Sequence, residues 1–424
     1  MKQNKKIMIR MLLWMGFALS ACSGISSVAM AKTTVLQTDV STPSSGCSFV
    51  GIEGAYRTDA AAALKRMNEI RLEACREGVP NPSDPLKALQ ESDYVPLKWS
   101  ADLEYIARLR AAEAILVTGH TRPNGKSCFS LKSPNGISSS GEVLAWSSSS
   151  SMITGVNQWY QEKEDWVQGN NAVTGHYTSM IDPSNKSVGL GLFTSSKGAW
   201  ASATCGRFSR ASQQDTVQAA AVPSCVQMVE VQQVYLSSEG SIEDAGGSQW
   251  DQLGVGDSRE CVLMQTLTSG VKESRVRAMG TISWSSSNPK VASVNTAGLL
   301  TITGKGSAVI NAVTQNGTVG SRSITVKSKL ASVKLKKIQA GKKKLVIRWK
   351  AVNKVKGYQI QYGTKKNFKS GVKKVTVKGA SKKSKTIHKL KSKRRYYIRI
   401  RSYTTKNGKK LYSAWSEAKS AKTK

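Results

Sequence analysis

Gly119-His120-Thr121-Arg122-Pro123 opens the stretch that decides the fold of the main domain, and three more short motifs follow it before residue 179. They are Gly141-Glu142-Val143-Leu144, Trp159-Tyr160-Gln161-Glu162 and Gly175-His176-Tyr177-Thr178. The chain holds three histidines, and two of them lie in this stretch. Imidazole and carboxylate groups suit a divalent cation such as zinc, and they also suit proton transfer. The sequence therefore predicts one chemical site made of His120, Glu142, Glu162 and His176.

The residues around these motifs predict helices first and strands later. From Tyr56 onward, apolar residues recur at three- and four-residue spacing and predict a helix that ends before Pro80. Ser100 is the expected N-cap of a second helix. Shorter helices are predicted at 142–146 and 159–166, and strands at 176–181, 189–193 and 200–208. This order of elements predicts a layered α+β domain.

Two further segments complete a resemblance to a known family. They are Leu64-Lys65-Arg66-Met67-Asn68-Glu69-Ile70-Arg71 in the first helix and Leu97-Lys98-Trp99-Ser100 before the second. With the four motifs, they make residues 56–212 resemble the CAP superfamily, also called SCP-like, which includes cysteine-rich secretory, antigen 5 and pathogenesis-related-1 proteins. The resemblance implies an α-β-α sandwich with an open cleft. It also implies that His120, Glu142, Glu162 and His176 are a cleft tetrad able to hold a divalent metal.

Two functions of this cleft remain open at the level of sequence. One is the binding of a metal, a small ligand or a peptide. The other is metal-assisted hydrolysis, with Glu142 or Glu162 as a base on bound water. Two histidines and two glutamates would fill a tetrahedral zinc shell, whereas a glutamate behind a histidine would leave a position for water. No nucleophile stands in an activating frame, so no catalytic residue is assigned and binding is favoured over catalysis.

The remainder of the chain predicts two all-β sandwich domains. Trp284-Ser285-Ser286-Ser287-Asn288-Pro289 and the glycine-punctuated strands after it resemble a bacterial immunoglobulin-like group 2 domain, assigned to residues 226–327. The alternating strands 345–349, 358–362 and 396–403 resemble a fibronectin type III domain at 330–424. Trp349 is its expected core tryptophan, and Tyr396 or Tyr397 its tyrosine corner. The predicted fold class is therefore multidomain, an α-β-α sandwich followed by two β-sandwiches.

The positive charge of the chain is concentrated at its C-terminal end. The formal net charge is +36, and residues 330–424 contain 32 Lys and Arg against the single acid Glu417. Residues 32–329 contain 27 basic and 26 acidic residues, so they are nearly neutral. Such a field attracts polyanions and weakens with salt. The expected partners are anionic cell-wall polymers, lipid head groups or host glycans, and no nucleic acid is expected because no base-reading motif is present.

The N-terminal residues predict export. Lys2, Lys5, Lys6 and Arg10 precede a short apolar run, and Ala29-Met30-Ala31 fits a cleavage site, so residues 1–31 are predicted to be a signal peptide. The rival reading makes Cys22 the lipidated residue of a lipoprotein, anchored to a membrane. Residues 32–55 are expected to be a linker. The expected location is extracellular, either secreted or attached to the membrane or wall.

Cysteine usage agrees with an oxidising compartment. Six cysteines remain after Cys22, an even number that favours disulfides in an exported protein. Sequence cannot choose among the fifteen pairings of six cysteines. The expected pairs are Cys128–Cys205 and Cys225–Cys261, each within a domain.

Overall fold

The computed structural model describes residues 33–217, 220–247, 250, 253–326, 330, 332–406 and 409–424. The predicted signal peptide and Cys22 lie outside the described residues. Within these ranges, no helix combines the length and the hydropathy that crossing a bilayer requires.

Within the described ranges, helices are found in the N-terminal domain, and one short 3-10 turn follows it. The helices are α1 (Ala60–Glu77), α2 (Ala101–Leu116), α3 (Met152–Tyr160), α4 (Lys163–Gln168) and α5 (Gly175–Ile181), with 3-10 turns at Glu91–Asp93, Cys128–Ser130 and Gln233–Tyr235. Helix α1 ends at Gly78, whose φ of 64° places it in the left-handed region, and its N–H bonds the carbonyl of Ala74. The Ser100 hydroxyl accepts the N–H of Leu103, which confirms the predicted cap of α2.

The N-terminal domain is a sheet with helices on both faces. Its strands are β1 (Thr34–Leu36), β2 (Cys47–Arg57), β3 (Pro80–Asn81), β4 (Asp84–Ala88), β5 (Lys98–Trp99), β6 (Gly141–Ser147), β7 (Ser187–Thr194), β8 (Ser202–Ser209) and β9 (Val222–Gln232). Strands β2, β7, β8 and β6 pair in that order, all antiparallel. Side chains alternate across a strand, so Val143 and Ala145 join the core under α1, α3 and α5, whereas Leu144 joins the core under α2. This packing is the predicted α-β-α sandwich.

Three local predictions in this domain are wrong. Residues 142–146, predicted as a short helix, form strand β6, because they pair with β8 along its whole length. Residues 176–181, predicted as a strand, form helix α5. Residues 159–166, predicted as one short helix, belong to α3 and α4, which are separated at Gln161 and Glu162.

The predicted linker at 32–55 is also wrong, because Thr34–Leu36 already form β1, which pairs with β9. Residues 47–55 form most of β2, and β2 pairs along one edge with β9. Its other edge pairs with β7 at Ala55–Arg57 and with the first sandwich domain at Val50 and Gly51. The apolar side chains Val50 and Ile52 are fully buried. Pairing on both edges explains why this Ser- and Gly-containing segment is ordered.

The middle domain is a β-sandwich that continues the same sheet. Its strands are β10 (Leu236–Asp244), β11 (Ser258–Ser269), β12 (Lys272–Ala278), β13 (Ile282–Ser286), β14 (Ala292–Val294), β15 (Leu299–Ile302), β16 (Gly306–Thr314) and β17 (Val319–Val326). Strand β12 pairs with both β11 and β2, so it joins the two domains. A separate core surrounds Ile242, Leu263, Leu300 and Ile310.

The C-terminal domain consists of two sheets around its own core. Its strands are β18 (Leu335–Gly341), β19 (Lys344–Trp349), β20 (Gly357–Gly363), β21 (Lys373–Lys378), β22 (Ser384–Ile387), β23 (Arg395–Lys406), β24 (Lys409–Tyr412) and β25 (Lys419–Lys422). One sheet has the order β18-β19-β22, and the other β21-β20-β23-β24 with β25 on β23. Trp349 is buried in the core as predicted. The Tyr396 hydroxyl accepts the N–H of Lys391, so Tyr396 rather than Tyr397 forms the tyrosine corner.

The predicted disulfides do not form among the described cysteines. The six cysteines are free and buried. Cys225 lies in the core beneath α2, whereas Cys261 lies in the core of the middle domain, so this predicted pair is split between two cores. Cys128 and Cys205 remain separate thiols, and each takes the place of a small apolar side chain.

Candidate functional site

The structure brings the two histidines of the N-terminal domain together. The ring centroids of His120 and His176 lie 6.5 Å apart, with 31° between the ring planes. His120 lies in the loop after α2, and His176 lies in the first turn of α5. The predicted convergence of the two imidazoles is therefore present.

Glu142 orients the first of these imidazoles. Its Oε1 atom lies 2.9 Å from Nδ1 of His120. Arg110 donates to the same carboxylate from Nε at 2.8 Å and from Nη2 at 3.1 Å, and Arg207 donates to Oε2. Burial opposes ionisation of Glu142, but the hydrogen bonds from His120 and Arg110 and the charges of both arginines outweigh it and lower its pKa to about 2. The carboxylate is therefore ionised, and Nδ1 of His120 is the donor.

Glu162 orients the second imidazole. Its Oε1 atom lies 2.5 Å from Nδ1 of His176. Its other oxygen accepts the backbone N–H groups of His176 at 2.9 Å and Tyr177 at 3.1 Å. These N–H groups belong to the first turn of α5, where backbone N–H groups have no acceptor within the helix. One carboxylate thus caps α5 and fixes the ring that α5 carries.

The four predicted residues therefore form two similar pairs, and within each pair the histidine and the glutamate have different roles. In each pair a carboxylate holds Nδ1, which leaves Nε2 as the nitrogen that can bind a ligand. A ligating histidine in proteins usually has such a carboxylate behind it, and the carboxylate sets the tautomer and raises the basicity of the ring. The geometry favours two imidazole ligands with two supporting glutamates, rather than the four direct ligands that fill a closed shell.

The histidine pair fits a zinc-like cation after a small movement. With bonds of about 2.0–2.1 Å from nitrogen to metal, two imidazoles on one tetrahedral ion have ring centroids roughly 5 Å apart. The observed separation is 6.5 Å. The side chain of His120 is 56% exposed, so it has room to approach, whereas that of His176 is 23% exposed and more confined.

A buried chain of alternating charges supports the site from below. It runs from Asp39 through Arg122, Glu113, Arg110 and Glu142 to Arg207. Five of these side chains are at most 2% exposed, and Asp39 at one end is 12% exposed. Three acids face three arginines, so each charge has an opposite neighbour, as buried charges require.

Sequence reasoning missed most of this network. The spacing of Arg110 and Glu113 in the apolar second half of α2 was an available signal, because residues three apart share a helix face. Arg207 gave no local signal. It faces Glu142 only because β6 and β8 pair in the register that sets these two residues opposite each other.

Cys128 lies close to the first pair. One possible ligand atom from each of His120, Cys128 and Glu142 lies within 4.8 Å of the others. Among the described residues, this is the cluster of three potential metal ligands that is found. Burial and the charge of Glu142 raise the pKa of the Cys128 thiol. A protonated, buried thiol is a weak nucleophile. The sulfur of Cys128 nevertheless lies where it could join His120 and Glu142 around a cation.

A separate groove lies beside the second pair. It has a volume of about 510 Å³ and is lined by residues near the end of α1 and along α4, including Val79, Pro80, Tyr160 and Val167. Neither histidine lines it. Polar side chains such as Lys163 and Glu164 also line it, and it is not part of the imidazole cleft.

Comparisons with protein families place three domains along the chain. The family described as CAP, the cysteine-rich secretory protein family, matches residues 64–205. The intimin immunoglobulin-like domain matches residues 277–316, and the fibronectin type III domain matches residues 331–419. The immunoglobulin-like assignment is thus confirmed, with the intimin type as the one matched. A search of curated proteins returned no significant match.

Solved structures similar to part of the chain were also found. A computationally redesigned β-sandwich protein is 22% identical, with 22% of this chain and 90% of that chain covered and a TM-score of 0.18. The fibronectin type III domain of human contactin 1 is 16% identical, with 22% and 77% covered and a TM-score of 0.19. A structure described as a myokine is 17% identical, with 23% and 97% covered and a TM-score of 0.18.

The three family matches follow one another in the order expected from the motifs, and the strands and helices agree with them. The chain is therefore a multidomain protein of extracellular type, in which a domain of the cysteine-rich secretory protein family precedes an immunoglobulin-like domain and a fibronectin type III domain.

Proposed function

We propose that this is an exported binding protein whose CAP domain captures a divalent cation, or a ligand held through one, at the histidine pair. The observation that carries the proposal is the pairing of each imidazole with its own carboxylate through Nδ1. This pairing leaves both Nε2 atoms for a shared ligand. A bound cation would supply open positions for oxygen ligands of a small molecule or peptide.

Catalysis is the alternative, and the same contacts weigh against it. A hydrolase of this type needs a carboxylate free to take a proton from bound water. Glu142 is occupied by two arginines and a histidine, and its pKa of about 2 makes it a poor base. One carboxylate oxygen of Glu162 accepts a backbone N–H of α5, and the other contacts Nδ1 of His176. Binding therefore explains the geometry better than metal-dependent hydrolysis does.

The proposal extends to the C-terminal domain, which would attach the protein to an anionic surface polymer. The domain carries 32 Lys and Arg with one acid. The ion pairs found among the described side chains all lie between Asp39 and Arg277, before this domain begins. Its cations are therefore not neutralised within the fold, and a polyanion can pair with many of them at once.

The cation site is tested by calorimetric titration of the full chain with Zn²⁺. We expect one site in the wild type and loss of that site in His120→Ala and in His176→Ala. The matched control is His388→Ala, because His388 is the third histidine and lies exposed in the C-terminal domain. Wild-type affinity in both cleft variants would overturn the proposal for the cleft.

Attachment is tested with a chain that lacks residues 330–424. The remaining domains keep their own cores, so the deletion does not remove their packing. We expect the full chain to be retained on immobilised poly(glycerol phosphate) and released by salt, and the shortened chain to pass through. Equal retention of the two chains would remove the claim of attachment and leave the cleft untouched.

A further inference from the structure

Two arginines of the C-terminal domain stand on one face of β23, each stacked on aromatic rings. The Arg399 guanidinium lies 4.4 Å from the ring centroid of Phe368 and 4.8 Å from that of Trp415. The Arg401 guanidinium lies 3.7 Å from Tyr412 and 4.2 Å from Trp415. Residues two apart in a strand share a face, so the two planar groups form consecutive rungs that both contact the Trp415 ring.

Neutral side chains hold these arginines in place. Nε of Arg399 donates to Oε1 of Gln361 at 2.7 Å. Arg401 donates to Oε1 of Gln359 from Nε at 3.0 Å and from Nη2 at 2.7 Å. Each glutamine lies directly opposite its arginine across β20 and β23. The amides therefore fix the orientation of the guanidinium groups without cancelling their charge.

Among the side chains that the structure describes, no acid is found paired with Arg399 or Arg401. Lys374 lies opposite Gln361 on the neighbouring strand β21, which extends the row of cations across the sheet. Partial burial lowers the pKa of Arg399, and burial together with the charge of Arg399 lowers that of Arg401 despite the opposing effect of Tyr412. Guanidinium is so basic that both groups stay charged. Two like charges held side by side repel each other until an anion lies between them.

We propose that this surface, here termed the arginine ladder and made of Arg399, Arg401, Trp415, Gln359 and Gln361, is a binding site for a linear phosphodiester polymer that runs along β23. The inference rests on the proposed attachment and names its site and polymer class. A planar guanidinium pairs with phosphate oxygens through two parallel N–H bonds, which a lysine cannot reproduce. The rungs are roughly 7 Å apart, the spacing of alternate residues in a strand. A chain of singly charged phosphates in close succession can therefore meet both arginines at once.

The test compares two double variants of the full chain that lose the same charge. Arg399→Gln/Arg401→Gln removes the arginine ladder, and Lys337→Gln/Arg348→Gln removes two cations that are cross-strand neighbours in the opposite sheet. Binding of a poly(glycerol phosphate) oligomer is measured by calorimetry at several salt concentrations. We expect the ladder variant to lose at least about tenfold in affinity, with a salt slope smaller by about one to two, and the control to lose about threefold or less.

A third variant separates stacking from charge and guards against misfolding. Arg399→Lys/Arg401→Lys keeps the charge, and we expect it to lose most of the affinity that the glutamine variant loses. Wild-type affinity in the lysine variant, or equal losses in the ladder and control variants, would overturn the inference while leaving attachment intact. Equal binding of a sulfated glycan of the same charge would overturn the assignment to phosphodiesters. Failure of attachment itself shows instead as unchanged retention after deletion of residues 330–424.

Discussion

Arg110 holds both oxygens of Glu142, through Nε at 2.8 Å and Nη2 at 3.1 Å, in a place where neither side chain is more than 1% exposed. The residue that orients His120 is therefore itself fixed by buried charge. The position of an exposed imidazole depends on contacts formed well below the cleft floor, and changes to those contacts should be felt both in stability and in binding.

Replacing Glu142 with Gln should destabilise the fold strongly. The amide cannot neutralise Arg110 and Arg207, and breaking one partner of a buried ion pair typically costs about 3–5 kcal/mol. Urea unfolding at pH 7 measures the change in the free energy of unfolding. Glu164→Gln is the control, because Glu164 is exposed and we expect a change within about 0.5 kcal/mol. Equal stability of the two variants would contradict the role given to the buried network.

Stability should fall as the solution is acidified. The pKa of Glu142 is about 2 in the folded protein and 4.5 without its partners, so the folded state binds protons less readily. Its contribution is complete above the unfolded value and is lost as pH falls from about 5 through 2. Urea midpoints at pH 7, 5 and 3 measure this loss. Glu142→Gln should show a shallower decline over the same window, and an unchanged slope would be evidence against the assignment.

Replacing Glu162 with Gln should weaken cation binding without abolishing it. The neutral amide holds Nδ1 of His176 less firmly and makes the ring a weaker metal ligand. Loss of such a supporting carboxylate typically lowers metal affinity by about 10–100-fold. Titration with Zn²⁺ measures the dissociation constant. Glu164→Gln, two residues away on the exposed side of α4, should bind as the wild type does. An unchanged constant for Glu162→Gln would show that the carboxylate does not support the ligand.

The six described cysteines should resist thiol reagents in the folded protein. Each is buried, and burial raises the pKa of Cys225 to about 11 and that of Cys261 to about 12. The reactive thiolate is therefore scarce at pH 8. We expect an aromatic disulfide reagent to label none of the six quickly under native conditions and all six in guanidinium. Mass spectrometry identifies the labelled positions, and absence of labelling after unfolding would reveal disulfides.

The sequence predicted the four cleft residues because each sits in its own short motif, and their convergence needed only the fold. Their division into two pairs could not be predicted. It depends on Glu162 meeting the first turn of α5, whereas residues 176–181 include Tyr, Thr and Ile, which favour a strand. The carboxylate that accepts two N–H groups at the start of this segment favours a helix instead.

The misassignment of 142–146 has a different cause. A short apolar run fits a buried strand as well as a helix, and periodicity cannot separate them. Pairing with β8 decides the matter, and the same pairing sets Arg207 against Glu142. The β-sandwich domains were easier to predict, because turn residues and alternation are local features. The ordered strand in 47–55 was missed because its partner β9 lies far along the chain.

The position of β2 matters for anyone who wishes to produce the CAP domain alone. A fragment cut at 56–212, where composition suggests the domain begins and ends, would lack Val50 and Ile52 of β2 and Val229 and Val231 of β9. These four side chains belong to the same buried core as Ala111 and Ile115 of α2. Without them, part of this apolar core and an unpaired strand edge would be exposed to water. Fragments with such surfaces tend to self-associate. The smallest piece expected to remain monomeric therefore reaches from residue 33 to the end of the immunoglobulin-like domain.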